Sequence, residues 1–331
     1  MSRYSLAETR RQLFEVPNDL AAVVASVASM PRLTRRPLLL SGSGDSHAAA
    51  CMAAASVADR QRVQVVYPWE LSTEVVVPPP DATVVLISAS GNSDSIVDAA
   101  HQLVGQAART VAVTGAADSP LARASDDAVT WSLGPVAREP SPAVRTFAST
   151  HMALLALLDL LPPEEGWLES AEPALGRVIV RSEELAAWLV DDEPAPPNYV
   201  GTGADRAAAE FARAKSIEIS GVTAVATDPD EWFHVDRHGA PPFGPVLAAT
   251  GDPRPPRHVV VALHAALTQG RRVVVAAPSG RASLHGAAVL STAELPTGLR
   301  PWGLALLGVA VGLRQAELLG RGPFVLSPAQ D

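Results

Sequence analysis

The sequence predicts an α/β protein built on doubly wound parallel sheets flanked by helices. Three features of the chain point there. Thr83 to Ile87 is a short β-branched apolar run; Gly91 then allows a tight turn, and Ile96, Val97, Ala99 and Ala100 restart at helical spacing, giving strand, loop, helix. Pro37 to Leu40 opens a second such junction, with a glycine-rich turn at Ser41-Gly42-Ser43-Gly44 and a helix from about Asp45. Hydrophobic residues are 47% and charged residues 18% of the 331, which fits a globular chain with room for two domains of ordinary size.

In chain order, residues 5–28 carry apolar positions at helical spacing around Pro17, so two helical pieces are expected. Val63 to Val66 is a strand that ends in Tyr67-Pro68-Trp69-Glu70-Leu71. After the serine-rich loop a helix is expected to about Ala107, then a strand from Thr110 to Thr114, a loop from Pro135 to Pro142 and an apolar helix from Ala143 to Leu161. Four strands with crossover helices make a parallel sheet whose ligands lie outside the carboxyl ends of the strands. Pro162-Pro163, a mixed helix through Glu183 to Val190, and the proline- and acid-rich run Asp191 to Pro197 mark a boundary. Beyond it Tyr199-Val200-Gly201-Thr202-Gly203 repeats Leu40-Ser41-Gly42-Ser43-Gly44 at a distance of about 160 residues, the mark of a domain duplication. The expected division is 1–165, a linker helix and boundary over 166–197, and 198–331. In the last part a helix is expected from Ala204 to Ser220, another around Val259 to Leu263, a strand from Arg272 to Ala276 and a closing helix from Arg300 to Leu319.

A formal charge of −9, with no basic cluster beyond Arg32, Arg35 and Arg36, argues against a nucleic-acid partner. Cys51 is the single cysteine, which leaves no disulfide framework and no thiolate metal site, and His258, His264 and His285 lack ligand spacing, so neither metal nor cofactor is expected. The opening residues are polar where a signal peptide would be apolar, and the runs Met152 to Leu161 and Trp302 to Leu313 are short for a bilayer; a cytoplasmic protein without membrane attachment is expected.

Two stretches carry chemistry. Ser88, Ser90, Ser93 and Ser95 crowd the loop after Thr83 to Ile87, where a helix start offers unpaired N–H groups and the positive end of a dipole. One hydroxyl is enough for a cap, and four with a glycine suit a phosphate cradle; the lysine of a nucleotide P-loop is missing. The second stretch surrounds Lys215, the only lysine among 26 basic residues. Lys215 and Glu218 are three apart on the helix, so both side chains emerge on one face, either as a surface ion pair or as a functional one.

The order Ser88-x-Ser90-Gly91-x-Ser93-x-Ser95 resembles the phosphosugar loop of the SIS (sugar isomerase) family, and the stretch from Arg10 to Leu20 resembles that family's opening helix. The stretch Thr114 to Val129 is similar to the family's turn after its fourth strand, and Lys215-Ser216-Ile217-Glu218-Ile219-Ser220 resembles the catalytic helix of isomerase domains of the glucosamine-6-phosphate synthase type. The resemblance covers the whole chain and implies two tandem SIS domains. It implies a hexose or amino-sugar 6-phosphate bound by Ser43, Gly44, Ser88, Ala89, Ser90, Ser93 and Ser95. Glu70 falls in the family's Glu-Phe position, and Arg145 in a segment where the synthases have Thr-Lys-Ala-Phe. In one gapless register it places the proton-transfer glutamate on Glu218, the lysine on Lys215 and the ring-opening histidine on His234. It further implies a homodimer with the active site at the subunit interface.

This chain departs from the pattern in places. A glutamate one turn before the lysine falls on Phe211, with Glu210 beside it; the serine of the first glycine loop becomes Gly44; the tail Gly322 to Ser327 has no lysine; and glutamine-dependent amino transfer by a glutaminase domain is not expected. Val246 to Pro253 stands where a second serine loop would be, with only Thr250-Gly251, so one phosphate per chain is expected. An isomerase or deaminase is the leading expectation. The alternatives are a dehydratase or lyase acting on an N-acetylamino-sugar 6-phosphate, which shares the first proton abstraction, and a non-catalytic phosphosugar sensor.

Overall fold

The computed structural model describes residues 4–28, 32–33, 37–57, 63–106, 108–133, 140–191, 194–239, 243–251, 256–278 and 284–324. Parts of the expected stretches Pro135 to Pro142, Asp191 to Pro197, Val246 to Pro253 and the C-terminal tail lie outside the described residues. The chain divides into two compact units, one of residues 18–136 and 145–163, the other of 1–17, 137–144 and 164–331.

The N-terminal helix α1 (Leu6–Val27) is a single helix with Pro17 inside it, where two pieces were expected. Pro17 removes one intrahelical bond, but Leu13, Val16, Leu20, Val23 and Val27 are all buried at helical spacing, and that burial outweighs the lost bond. In the first unit β1 (Leu38–Gly42), α2 (Asp45–Ala55), β2 (Val63–Val66), α3 (Pro68–Ser72), β3 (Thr83–Ile87), α4 (Asp94–Leu103), β4 (Arg109–Thr114), α5 (Pro120–Ala124), β5 (Asp127–Thr130) and α6 (Arg145–Leu157) follow in turn. The five strands are parallel in the order β2-β1-β3-β4-β5, one more than the expected four. One face of the sheet is covered where Leu39, Val84, Leu86 and Ala112 meet Ile96, Ala99, Ala100, Leu103 and Leu121 of α4 and α5. Helix α4 stops short of Ala107 because Gly105 turns the backbone to φ 79°.

The second unit runs α7 (Trp167–Leu189), β6 (Asn198–Val200), α8 (Ala204–Ser220), β7 (Val225–Thr227), α9 (Pro229–His234), β8 (Val246–Ala249), α10 (Arg257–Thr268), β9 (Val273–Ala277), β10 (Ala288–Ser291) and α11 (Trp302–Leu319). Its parallel sheet has the order β10-β9-β8-β6-β7, which read from β7 is the strand order of the first sheet. The mixed helix expected through Glu183 to Val190 is the end of α7, which contains Pro173. Helices α9 and α10 cover one face with Trp232, Val259, Ala262, Leu263 and Ala266. Helices α7, α8 and α11 pack together in the same unit. Thr297–Leu319 is long and apolar enough to cross a membrane, beyond what the run Trp302 to Leu313 suggested, but most of it is buried as a core helix.

The contact between α8 and α11 depends on glycine. A Cβ on Gly308 would stand 2.3 Å from the Ala212 Cβ, and one on Gly312 would stand 3.2 Å from the Ser216 Cα. Gly→Ala inside an exposed helix stabilises by about 1 kcal/mol. Gly308→Ala is expected to destabilise instead, by about 1–3 kcal/mol from overpacking, which a urea denaturation midpoint measures.

His151 on α6 is fully buried, and burial pushes its imidazole down to about 3 from an ordinary 6.5. The unfolded chain therefore binds a proton that the folded chain refuses, so this contribution is complete above pH 6.5 and is lost as pH falls from there toward 3. Between pH 7 and pH 5 the wild type should lose about 2 kcal/mol more stability than His151→Gln, read from denaturation at the two pH values.

Candidate functional site

Parallel strands of this order change crossover direction between β1 and β3, and the crevice beyond their carboxyl ends is where such sheets take ligands. Gly42 and Ile87 pair in register there, so the glycine and serine loops leave the sheet side by side. Gly42 has to be glycine, because a Cβ would meet the Ser46 Cβ at 2.8 Å. Gly44, at φ 54° and ψ −124°, turns the chain into α2. In the serine loop Gly91 has φ 64°, and a Cβ on it would stand 2.2 Å from the Ser119 Oγ. The Gly91 N–H donates to the Ser88 Oγ at 3.1 Å, and the Asn92 N–H to the Ser90 Oγ at 3.3 Å. Ser93 is the N-cap of α4, yet its hydroxyl makes no cap bond and lies 3.3 Å from the Ser95 Oγ. Ser90 and Ser93 are exposed, and Ser95 half-buried.

Two further expected site residues in this unit have structural duties. Glu70 closes a capping box on α3, its Oε2 accepting from the Tyr67 N–H at 2.6 Å. Arg145 is buried and donates from Nε and a terminal nitrogen to the two carboxylate oxygens of Asp19, each at 2.7 Å. Ser43 and Gly44 are exposed at the mouth of the first loop.

In the second unit the Lys215–Glu218 pair is not a surface ion pair. Lys215 is 1% exposed, and its Nζ donates to the Glu218 Oε2 at 2.5 Å, while the Glu218 side chain keeps 29% exposure. Phe211, one turn earlier, brings its ring centroid to 5.3 Å from the ammonium. Glu210 points elsewhere, paired with Arg206 and Arg213 at 2.7 and 2.8 Å. The position that holds a glutamate in the resembled domains thus supports the lysine here through an aromatic face.

Helix α8 is held by buried polar bonds as well as by glycine contacts. The Tyr199 hydroxyl on β6 lies 2.5 Å from the Ser216 Oγ, and Ser220 donates to its own helix at Ser216 O and to Gln315 Oε1 on α11. The C-terminal segment also reaches α8, where the Phe324 N–H donates to the Glu218 carbonyl at 2.7 Å. His234 ends α9 and is exposed, its ring edge-on to Phe233 at 5.4 Å. Asp228 caps that helix through the Asp230 and Glu231 N–H groups, and buried Trp232 donates to the Asn198 Oδ1 on β6 at 3.1 Å. Among the described residues no hydrogen bond joins His234 to Lys215 or Glu218, so the structure joins two of the three expected catalytic residues directly.

Asp19, Tyr199 and Asp205 were not singled out from the sequence. Asp205, at the start of α8, is 7% exposed and accepts from the Gly251 N–H at 2.8 Å. Burial raises its carboxyl to about 6 against the lowering effect of that bond. The Gly201-Thr202-Gly203 repeat was the available signal for it.

Residues 34–160 match the family model of the SIS domain, which spans the first sheet. No curated protein matches the sequence. Among solved structures the chain is similar to the C-terminal domain of glucosamine-fructose-6-phosphate aminotransferase from Francisella tularensis, at 15% identity and a TM-score of 0.75, over 96% of this chain and 97% of that one. Tagatose-6-phosphate ketose/aldose isomerase from Escherichia coli is 15% identical with a TM-score of 0.76, over 98% and 96%. Glucosamine-6-phosphate deaminase from Thermotoga maritima is 15% identical with a TM-score of 0.73, over 98% of both chains. The likeness establishes an α/β fold of two parallel five-strand sheets flanked by helices.

Gly91→Ala tests how tightly the serine loop is specified. The combination of positive φ and contact with Ser119 should lower stability by about 2 kcal/mol or more, measured by chemical denaturation.

Proposed function

We propose that the chain is a tandem SIS-domain enzyme that acts, without a cofactor, on a hexose or amino-sugar 6-phosphate by ring opening and proton abstraction at C2. The observation that carries this is the buried Lys215 ammonium set 2.5 Å beneath a half-exposed carboxylate, Glu218, on a helix locked from behind by α11. The shared strand order of the two sheets and the matching Gly44 and Gly203 backbones support the tandem arrangement, with domains over 1–165 and 198–331 and the linker helix and boundary over 166–197. A cytoplasmic homodimer with the active site at the subunit interface, and with neither a nucleic-acid nor a membrane partner, completes the reading.

The phosphate sits in the first unit's loops, on Ser88, Ala89, Ser90, Ser93 and Ser95 with Ser43 and Gly44, where N–H groups and hydroxyls converge at a helix start. Glu70 and Arg145 border that site, the first through the cap of α3 and the second through its hold on Asp19. His234 takes the O1 proton and delivers a proton to O5, opening the ring. Glu218 removes the C2 proton, the electron pair forms the enediolate, and the fixed Lys215 cation stabilises the oxygen that gains charge. Return of the proton at C1 gives the ketose. Where C2 bears an amino group, the same shift gives an imine that water cleaves to a ketose and ammonia. If C3 carries a good leaving group, the C2 anion can expel it instead, which is the lyase reaction.

A thermal-shift screen of glucose, fructose, tagatose, glucosamine and N-acetylglucosamine 6-phosphates identifies the substrate, because a bound ligand raises the unfolding temperature. With that compound Glu218→Gln should keep the shift and lose about 10²–10⁴-fold in kcat. Product NMR should show a ketose, with ammonia from an amino sugar. An alkene signal would move the assignment to elimination, and a shift with no turnover of any of these compounds would leave a sensor.

A further inference from the structure

The two sheets present the same crevice twice, and the second is already filled. Gly203 repeats Gly44 almost to the degree, at φ 56° and ψ −123° against φ 54° and ψ −124°. Thr250 donates its N–H to the Ala276 carbonyl at 3.0 Å as Ser88 donates to the Val113 carbonyl at 3.0 Å, so Thr250 occupies the place of Ser88 and Gly251 that of Ala89. Counting from the matched glycines, Ser46 in the first unit corresponds to Asp205 in the second. In the first unit the loop N–H of Ala89 makes no hydrogen bond among the described residues, and the half-buried Ser46 carries no carboxylate to meet it. In the second the matching N–H of Gly251 donates to the Asp205 carboxylate, a side chain more than nine-tenths buried that no cation faces among the described residues.

We propose that the second crevice is an anion cradle whose anion is the chain's own Asp205 carboxylate, which excludes phosphate from it and leaves the serine loop as the phosphate site of each chain. This rests on the serine loop being the phosphate site of the proposed function. A carboxylate on a backbone N–H at the first turn of α8 uses the same helix-end field that a phosphate would use. Burial raises the Asp205 carboxyl to about 6, and the Gly251 N–H opposes that rise by favouring the carboxylate. Burial of this carboxyl lowers fold stability as pH rises from 3.8 through about 6.

Calorimetric titration with inorganic phosphate at pH 8 tests this on the full-length protein. The wild type should take up one phosphate per chain, Asp205→Ser should take up two, and Asp205→Asn, which keeps the shape and the acceptor oxygen, should stay at one. Two phosphates on the wild type, or no gain in an Asp205→Ser or Asp205→Ala variant whose circular dichroism matches the wild type, would overturn the proposal. A wild type that takes up none while Asp205→Ser takes up one would reject the serine-loop reading and leave this one standing.

Discussion

The second unit is organised around one ammonium group kept out of water. Moving a lysine charge into a protein interior is costly unless a counter-charge and close packing meet it there. Lys215 has Glu218 at 2.5 Å and the face of Phe211 at 5.3 Å. Close packing behind it comes from α11, whose Gly312 lets that helix approach the backbone of Lys215 and Ser216, while Tyr199 and Gln315 tie the hydroxyls of the same stretch of α8. The result is a carboxylate held by the buried ammonium on a side chain that keeps 29% exposure. That is the arrangement a proton-transfer base needs, since its position is set before substrate arrives.

The two sheets show how one backbone plan hosts different chemistry. Each has a glycine turn of the same dihedral angles at the crevice between its first and third strands. In the first unit the loops around that crevice are hydroxyl-rich, and hydroxyls such as those of Ser93 and Ser95 are not consumed by capping. In the second unit the corresponding loop carries Thr250-Gly251 and is met by an acid, while the buried Lys215–Glu218 pair lies at the far end of α8. The two sheets keep the backbone at the crevice under strict steric control, as Gly42 and Gly201 show, and differ in the side chains around it.

Much of this was legible in the sequence, and the gaps have physical causes. The central strands were plain because both faces of a parallel sheet are covered, so that Leu38–Gly42 and Thr83–Ile87 are buried at every position. The strands that escaped notice, β5, β7 and β10, are three- or four-residue edge strands with half-exposed side chains and so lack both signals. The Lys215–Glu218 pair was visible from helical spacing, but its burial was not, because that depends on an α11 glycine almost a hundred residues later. Pro17 misled in the opposite sense, since the long buried face of α1 keeps that helix continuous through a residue that locally opposes it, as α7 also continues through Pro173. Asp19 gave no sequence signal, because a buried acid is recognised only by the partner that folding brings to it, and Asp205 had only the Gly201-Thr202-Gly203 repeat beside it.

Exchange of the C2 proton with solvent tests the central claim most directly. The 6-phosphate that most raises the unfolding temperature would be incubated in D2O with enzyme and followed by proton NMR. The C2 proton signal should disappear, with deuterium entering at C2 or C1 at a rate that falls about 10²–10⁴-fold in Glu218→Gln. Turnover of that compound with its C2 proton retained, or exchange at an undiminished rate in Glu218→Gln, would contradict it.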